Sequence, residues 1–430
     1  MPSERYVLLG LGRPRADWFR AVGQWATTAA VPAEFGKCVS AEELRTRLRT
    51  GQACSAVLLD GSLAAVERDL IADVRDAGAA PIVVDAGTRD WAALGALAVL
   101  PPGFGRAELL DVLASHAELV AFGEVEGTGL DGSMEVPAAM PGRILAVCGP
   151  GGTGASTVAI ALAQGIAAQA DTSVVLADCC RRAEQVMLHD ARDVFPGIQE
   201  LVDAHRNGVP GLADVRASTF HVAERGYHLL LGLRQSRYWA TLRPRALDAA
   251  LDSLVRGFNA VVCDIDSDLE GEDQAGSSDV EERNLLSRRP AQRAELVLVV
   301  GSASMKGLHS LVHVVADLVA AGVQPNRIGL VVNQAPRKVK QRAELARSLA
   351  RLLPRAGVPE PPGPLFLPEA RVEQALRDGV ALPAPLPALL AGACEAALRR
   401  LAEPGRLSTP STQPIRVRPG SLGVVGKAEG

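Results

Sequence analysis

Nine residues, Gly149-Pro150-Gly151-Gly152-Thr153-Gly154-Ala155-Ser156-Thr157, carry the sharpest chemical signal in this 430-residue chain. They follow the apolar run RILAVCG (143–149) and lead into STVAIALAQGIAAQ, so a glycine-rich turn joins a strand to a helix. Glycines in such a turn let backbone N–H groups converge on an anion, and the helix N-terminus adds a favourable dipole. The chemistry is phosphate binding, with Ser156 placed to ligate magnesium and Thr157 placed to reach a phosphate. The spacing follows G-x-x-x-x-G-K-[ST] except that Ala155 stands where the lysine belongs. That lysine contacts the β- and γ-phosphates and offsets charge that develops in transfer. Without it, binding can rest on backbone donors and magnesium, but catalysis should suffer. A glycine-rich strand–helix turn with no ligand is the alternative.

The loop resembles the deviant Walker A sequence, KGGxGK[ST], of the MinD/ParA/CpaE ATPases, with Pro150 at the signature lysine and Ala155 at the second lysine. Other segments match that family in order. VVLADCC (174–180) is similar to its second strand, which ends in D-x-D; Asp178 keeps the first acid and Cys180 replaces the second. FNAVVCD (258–264) resembles the Walker B strand, which makes Asp264 the magnesium-site acid. Val331-Val332-Asn333 resembles the strand end whose asparagine reads the base. Leu365-Phe366-Leu367-Pro368-Glu369, followed by Val372, Ala375 and Gly379, resembles the ending near adenine. FPGIQEL (195–201) looks like the GL-x-D-L stretch. The resemblance covers about 143–400 and is nearest to the CpaE-like, septum-site-determining group, whose members carry a receiver-like domain before the ATPase domain. It implies ATP and Mg2+ as cofactors. Gly149, Gly151, Gly152, Thr153, Gly154, Ala155, Ser156, Thr157, Asn333 and Pro368 would hold the nucleotide, Ser156 and Asp264 the metal, with Asp178 and Asp264 as the catalytic acids. It also implies a nucleotide-dependent homodimer that places septum or pilus/secretion proteins at the membrane.

These residues need a sheet to position them. RILAVCG (143–149), SVVLADC (173–179), YHLLLGL (227–233), NAVVCDI (259–265), ELVLVVG (295–301) and RIGLVVN (327–333) read as buried parallel strands. Strands alternating with helices imply a doubly wound α/β P-loop domain over 143–402. Residues 1–122 show a second α/β pattern, with strands at 6–11, 55–61, 80–87 and 97–103 and helices at 40–50, 62–77 and 106–120. The Gly- and Pro-rich stretch 123–142 reads as a linker and 403–430 as a disordered tail. The eight carboxylates between Asp266 and Glu282 suggest a solvated, mobile loop.

The strand order of 1–120 resembles a CheY-like (flavodoxin-like) response-regulator receiver, with Asp60 at the phosphoacceptor position. The acidic pair, the hydroxyl and the lysine of such a domain are replaced around Gly10–Arg13, Asp85–Gly87 and Pro101, so a pseudo-receiver used for docking is expected. Asp60 would then be a turn residue.

Composition narrows the function classes. Net charge is −4, which argues against a general nucleic-acid field. Only five of 45 basic residues are lysine, an arginine bias under which a missing lysine means less, although alanine is not the replacement it favours. No signal peptide or membrane span is expected, and the seven cysteines, without metal-ligand spacing, read as reduced cytosolic thiols. His309 and His313 have the i,i+4 spacing of a zinc pair but no third ligand, and Arg337, Lys338, Lys340 and Arg342 read as a solvated helix start. The tail lacks an amphipathic membrane helix, so a cytoplasmic protein reaching the membrane through a partner is expected. A nucleotide-gated positioning factor with slow hydrolysis is the leading function, in which Arg181 or Arg182 would supply the missing charge. A pseudo-ATPase scaffold and, less so, a ParA-like DNA partition factor are the alternatives.

Overall fold

The computed structural model describes residues 5–50, 53–87, 89–120, 142–192, 194–359 and 363–402. The expected tail and all but Gly142 of the expected linker lie outside these residues.

The chain forms two twisted sheets. The first contains β1 (Tyr6–Leu11), β2 (Ala33–Cys38), β3 (Ala56–Asp60), β4 (Ala80–Val84) and β5 (Ala98–Leu100) in the order β2-β1-β3-β4-β5. Every neighbouring pair is parallel. The helices α1 (Asp17–Thr27), α2 (Ala41–Arg49), α3 (Arg68–Asp76) and α4 (Arg106–His116) cover it. β3 and β4 are buried along their whole length, which is why their sequences are continuous apolar runs. The sequence reading missed α1 and β2: β2 reads AEFGKC and lies at a sheet edge, where one partner strand suffices and no apolar run is required. The helix expected over 62–77 begins only at Arg68, because Glu67 is in extended conformation as its N-cap. The helix expected over 106–120 ends at His116.

The second sheet contains β6 (Arg143–Cys148), β7 (Val174–Cys179), β8 (Phe220–Val222), β9 (Tyr227–Leu230), β10 (Ala260–Ile265), β11 (Leu296–Ser302), β12 (Ile328–Ala335) and β13 (Leu365–Pro368). Their order is β13-β12-β11-β6-β10-β7-β9-β8, parallel except for the β8–β9 hairpin. The helices are α5 (Ala155–Ala167), α6 (Gln185–Leu188), α7 (Ile198–Asn207), α8 (Leu212–Ala217), α9 (Pro244–Gly257), α10 (Glu272–Ala275), α11 (Ser278–Arg283), α12 (Leu285–Arg293), α13 (Met305–Ala320), α14 (Val339–Leu352), α15 (Glu373–Arg377) and α16 (Leu386–Ala402). All six expected strands are present. The structure adds the short β8 and β13.

Apolar side chains fill both faces of the second sheet, with α9, α12 and α13 contributing to one core and α5 and α16 to the other. Helix α5 is apolar nearly all round because it lies between the sheet and α16. The two helices approach so closely at Gly165 that a Cβ there would lie 2.1 Å from the Pro387 carbonyl oxygen. The 266–282 stretch is not the free loop that its charge suggested. It forms α10 and α11, and Asp268 is tied to Arg181, Arg283 and Asn284. Local ion pairs and Asn284, a buried side chain, give Asp268 partners that composition cannot reveal.

The two sheets meet through α3, which packs on α7 and α9. The buried Asp69 carboxylate accepts the backbone N–H groups of Arg245 (2.9 Å) and Ala246 (3.2 Å). It therefore caps the N-terminus of α9, whose own N-cap residue Arg243 supplies no side-chain acceptor. Glu67 pairs with Arg206 at 2.6 Å and with Arg243 at 3.4 Å, and Arg68 donates to the carbonyls of His205 and Gly208. Asp69→Ala should destabilise the fold by about 1–2 kcal/mol, the range for a lost helix cap. Urea unfolding measures this, and an unchanged midpoint would contradict the capping role.

Candidate functional site

The parallel register of the second sheet brings the singled-out residues together. Asp264 on β10 pairs with Asp178 on β7 and with Val147 on β6. Gly149 follows β6 by one residue, so the glycine loop begins beside the two acids at the C-terminal end of the strands. That is where parallel α/β sheets hold ligands.

The loop has the geometry of an anion cradle. Gly152 and Gly154 have φ of +80° and +84°, a left-handed conformation that suits glycine. Gly149 is fixed by crowding: a Cβ there would lie 2.3 Å from the Val300 carbonyl oxygen. Around Gly151 and Gly152 the space is open. Thr153 turns its hydroxyl back onto the Pro150 carbonyl at 2.7 Å, which closes the loop. Helix α5 starts from Gly154, which has no capping side chain, and no acidic residue lies in the first turn. Its first N–H groups therefore remain available to an anion. Ser156 and Thr157 lie in that turn, half-exposed.

Asp178 and Asp264 are both buried. Asp178 accepts the N–H groups of Cys180 (3.2 Å) and Gln185 (3.0 Å), whereas Asp264 Oδ2 accepts Gln185 Nε2 at 2.6 Å. Asp264 Oδ1 has no hydrogen-bond partner, although Ser156 lies close enough to favour the ionised carboxylate. Burial, followed by the charge of Asp264, pushes the Asp178 carboxyl up to about 7. Burial, above all, pushes Asp264 up to about 6. A divalent cation suits this arrangement: it would offset both charges and take up the unpaired oxygen. The donor set therefore fits magnesium, and the loop fits a phosphate chain.

The structure gives the other singled-out residues partners of their own. Asn333 donates Nδ2 to the Thr153 carbonyl at 2.9 Å and its Oδ1 accepts the Gln334 N–H, so its amide braces the loop. Arg181 is drawn to Asp268 and Asn284, away from the role of a replacement cation, while Arg182 is exposed. Cys180 directs its thiol at the Asp264 carbonyl, 3.5 Å away, and burial holds the thiol far above its ordinary pKa, so it supplies neither charge nor base. Pro368 ends β13, paired with Ala335. Asp60 is buried and accepts the Ser62 N–H (3.0 Å) and hydroxyl (2.5 Å), as a turn residue does. His309 and His313 touch at 3.0 Å, and no metal-holding cluster of three such side chains occurs among the described residues.

The sequence reading missed Gln185 and the network behind it. His189 contacts the Gln185 carbonyl through Nδ1 at 2.7 Å and the Tyr227 hydroxyl through Nε2 at 2.7 Å. Arg225, buried nearby, donates to the carbonyls of Leu188, Ala375 and Val380. This network ties α6 to the 373–380 segment. No motif marks these residues, because their spacing in sequence carries no period.

No known protein family's sequence profile matches the chain, and no curated protein matches it. Solved structures do. The septum site-determining protein MinD of Pyrococcus horikoshii, complexed with Mg-ADP, is 19% identical, with 61% of this chain and 98% of that one covered and a TM-score of 0.42. A plasmid partition protein of Borrelia burgdorferi bound to AMPPNP is 14% identical over 61% of this chain and 100% of the other, with a TM-score of 0.43. The MinC:MinD cell division complex of Aquifex aeolicus supplies a third, at 14% identity, 61% and 96% coverage and a TM-score of 0.41. Likeness at this level carries no argument by itself about what this chain binds.

The raised carboxyl pKa has a testable sign. For a carboxylate raised in the folded state, ionisation destabilises the fold. The penalty appears above the unfolded pKa of about 4 and is complete above the folded value of about 6. Asp264→Asn, whose amide can pair with that of Gln185, should therefore stabilise the ligand-free fold by about 1–3 kcal/mol at pH 8. The gain should vanish near pH 4. Urea titrations at the two pH values check this, and an equal effect at both would refute it. Over about 61% of its length, the chain is similar in fold to the solved MinD and plasmid partition proteins.

Proposed function

We propose that this chain is a nucleotide-responsive regulatory protein of the MinD/ParA type, nearest to the CpaE-like, septum-site-determining group. The observation that carries this reading is the unpaired, buried Asp264 Oδ1 standing beside an uncapped helix N-terminus at the end of a glycine loop. Residues 149–157 would hold the phosphates through backbone N–H groups, Ser156 and Asp264 would hold Mg2+, and Asp178 would keep Asp264's surroundings negative. Magnesium, when bound, supplies charge neutralisation for the phosphates.

Residues 143–402 would form the nucleotide domain and 1–122 a pseudo-receiver, whose parallel β2-β1-β3-β4-β5 order is that of flavodoxin-like sheets. The occupied face would form a homodimer that positions septum or pilus/secretion machinery. The solved MinC:MinD complex, a cell division assembly, supports partner binding as a theme among similar structures. No described helix is long and apolar enough to cross a membrane, so membrane contact would come through a partner. The net charge of −4 disfavours a DNA partition role.

Hydrolysis would be slow. Ala155 lacks the lysine's charge, Cys180 the second acid's, and Arg181 is engaged elsewhere. Calorimetry of the full chain should show ATP binding with a Kd below about 1 mM in the presence of Mg2+. Turnover should stay at or below about 10⁻² s⁻¹, the rate of slow P-loop enzymes. No binding at millimolar nucleotide would instead identify a scaffold that keeps the fold without the ligand.

A further inference from the structure

Gln185 sits in QVML, a four-residue helical turn with no recognisable motif, and is completely buried. It is the one described residue hydrogen-bonded to both site carboxylates by its own atoms: its backbone N–H donates to Asp178 and its side-chain Nε2 to Asp264. Its Oε1 is buried with no partner, and so is Asp264 Oδ1. Each unpaired oxygen belongs to one of the two groups that meet at the 2.6 Å contact between Gln185 Nε2 and Asp264 Oδ2. An acceptor left unpaired in the interior is costly, and native folds leave few of them without a water or an ion to complete them. Magnesium retains several of its waters when bound to protein, and each such water needs an acceptor.

The neighbouring position shows why an amide oxygen would be needed. Cys180, where the resemblance places a second acid, points its thiol at a backbone carbonyl and offers the site no carboxylate. Elements around Gln185 hold it firmly. His189 grips its carbonyl, Tyr227 grips His189, and Arg225 fastens the same turn through the Leu188 carbonyl.

We propose that Gln185 is a positioning residue that stands in for the missing acid: Nε2 fixes the Asp264 carboxylate, and Oε1 accepts a hydrogen bond from a water carried by the bound divalent cation. This rests on the nucleotide reading given above. A glutamine serves here without adding a third negative charge to two carboxylates already buried side by side.

The test is calorimetric titration of ATP into the full-length chain, with magnesium and with a chelator, for the wild type, Gln185→Met and Gln185→Glu. The ratio of the two affinities is the readout. The wild-type ratio should be at least about tenfold and Gln185→Met should fall below about threefold; Gln185→Glu keeps an acceptor but loses the donor to Asp264 and adds a charge that only the cation offsets, so its ratio should exceed the wild-type value. A purely structural role would weaken both affinities alike and leave the Gln185→Met ratio at the wild-type value; that result overturns the proposal. If Gln185→Met does not fold, Gln185→Glu decides, and a ratio at or below the wild-type value overturns it. A wild type that binds ATP equally well with and without magnesium overturns this proposal alone. A wild type that binds no ATP under either condition overturns the nucleotide reading and this proposal together.

Discussion

Two carboxylates held side by side in the interior are the constraint around which the second sheet is organised. β7 and β10 run parallel with Asp178 opposite Asp264, so neither acid can move away without breaking the ladder. Ionising both in a medium of low dielectric is costly, and both pKa values rise accordingly. The fold answers unevenly. Asp178 has two backbone N–H donors, whereas Asp264 has one side-chain amide on Oδ2 and, with Ser156 nearby, an Oδ1 that no hydrogen bond completes. A purely structural acid pair would be expected to have its acceptors filled, because unpaired buried acceptors are rare. The open oxygen and the open glycine loop are what mark this pair as a candidate site.

Much of the rest of the second sheet keeps that pair and the loop in place. Helix α5, whose N-terminus faces the loop, is fixed from behind by α16 at Gly165, where the backbones nearly touch. Asn333 on β12 braces the loop from the side, through the Thr153 carbonyl. The turn bearing Gln185 is secured by His189, Tyr227 and Arg225, a network in which burial lowers the His189 pKa to about 4 and keeps the ring neutral. A neutral imidazole can donate to the Gln185 carbonyl and accept from the Tyr227 hydroxyl at once, so its tautomer follows from its partners.

The first sheet is not an independent appendage. Its α3 supplies Asp69 as the cap of α9, and α9 runs into β10, the strand that carries Asp264. A displacement of α3 would uncap α9 and loosen the element that leads to the acid. The polarity of this contact matters: the buried carboxylates Glu67 and Asp69 of one unit meet arginines and backbone donors of the other, so separating them breaks these pairings.

The sequence by itself determined the strand-loop-helix unit at 143–167, the two acids and all six core strands of the second sheet. Each of these is local: a continuous apolar run, a glycine pattern or an acid at a strand end follows from neighbours in the chain. It also determined that Ala155 and Cys180 depart from the usual pattern. Only the tertiary structure decided that Asp264 keeps an unpaired oxygen, that Gln185 joins both acids, that Asn333 braces the loop and that Arg181 is taken by Asp268. It likewise decided that the acid-rich stretch is partly helical and that Asp69 caps a helix 175 positions away along the chain, from Asp69 to Pro244. These are partnerships between residues far apart in sequence, set by parallel register and by which buried polar groups happen to meet. No period or motif encodes them, since a side chain's partner in the interior depends on the packing of every layer around it.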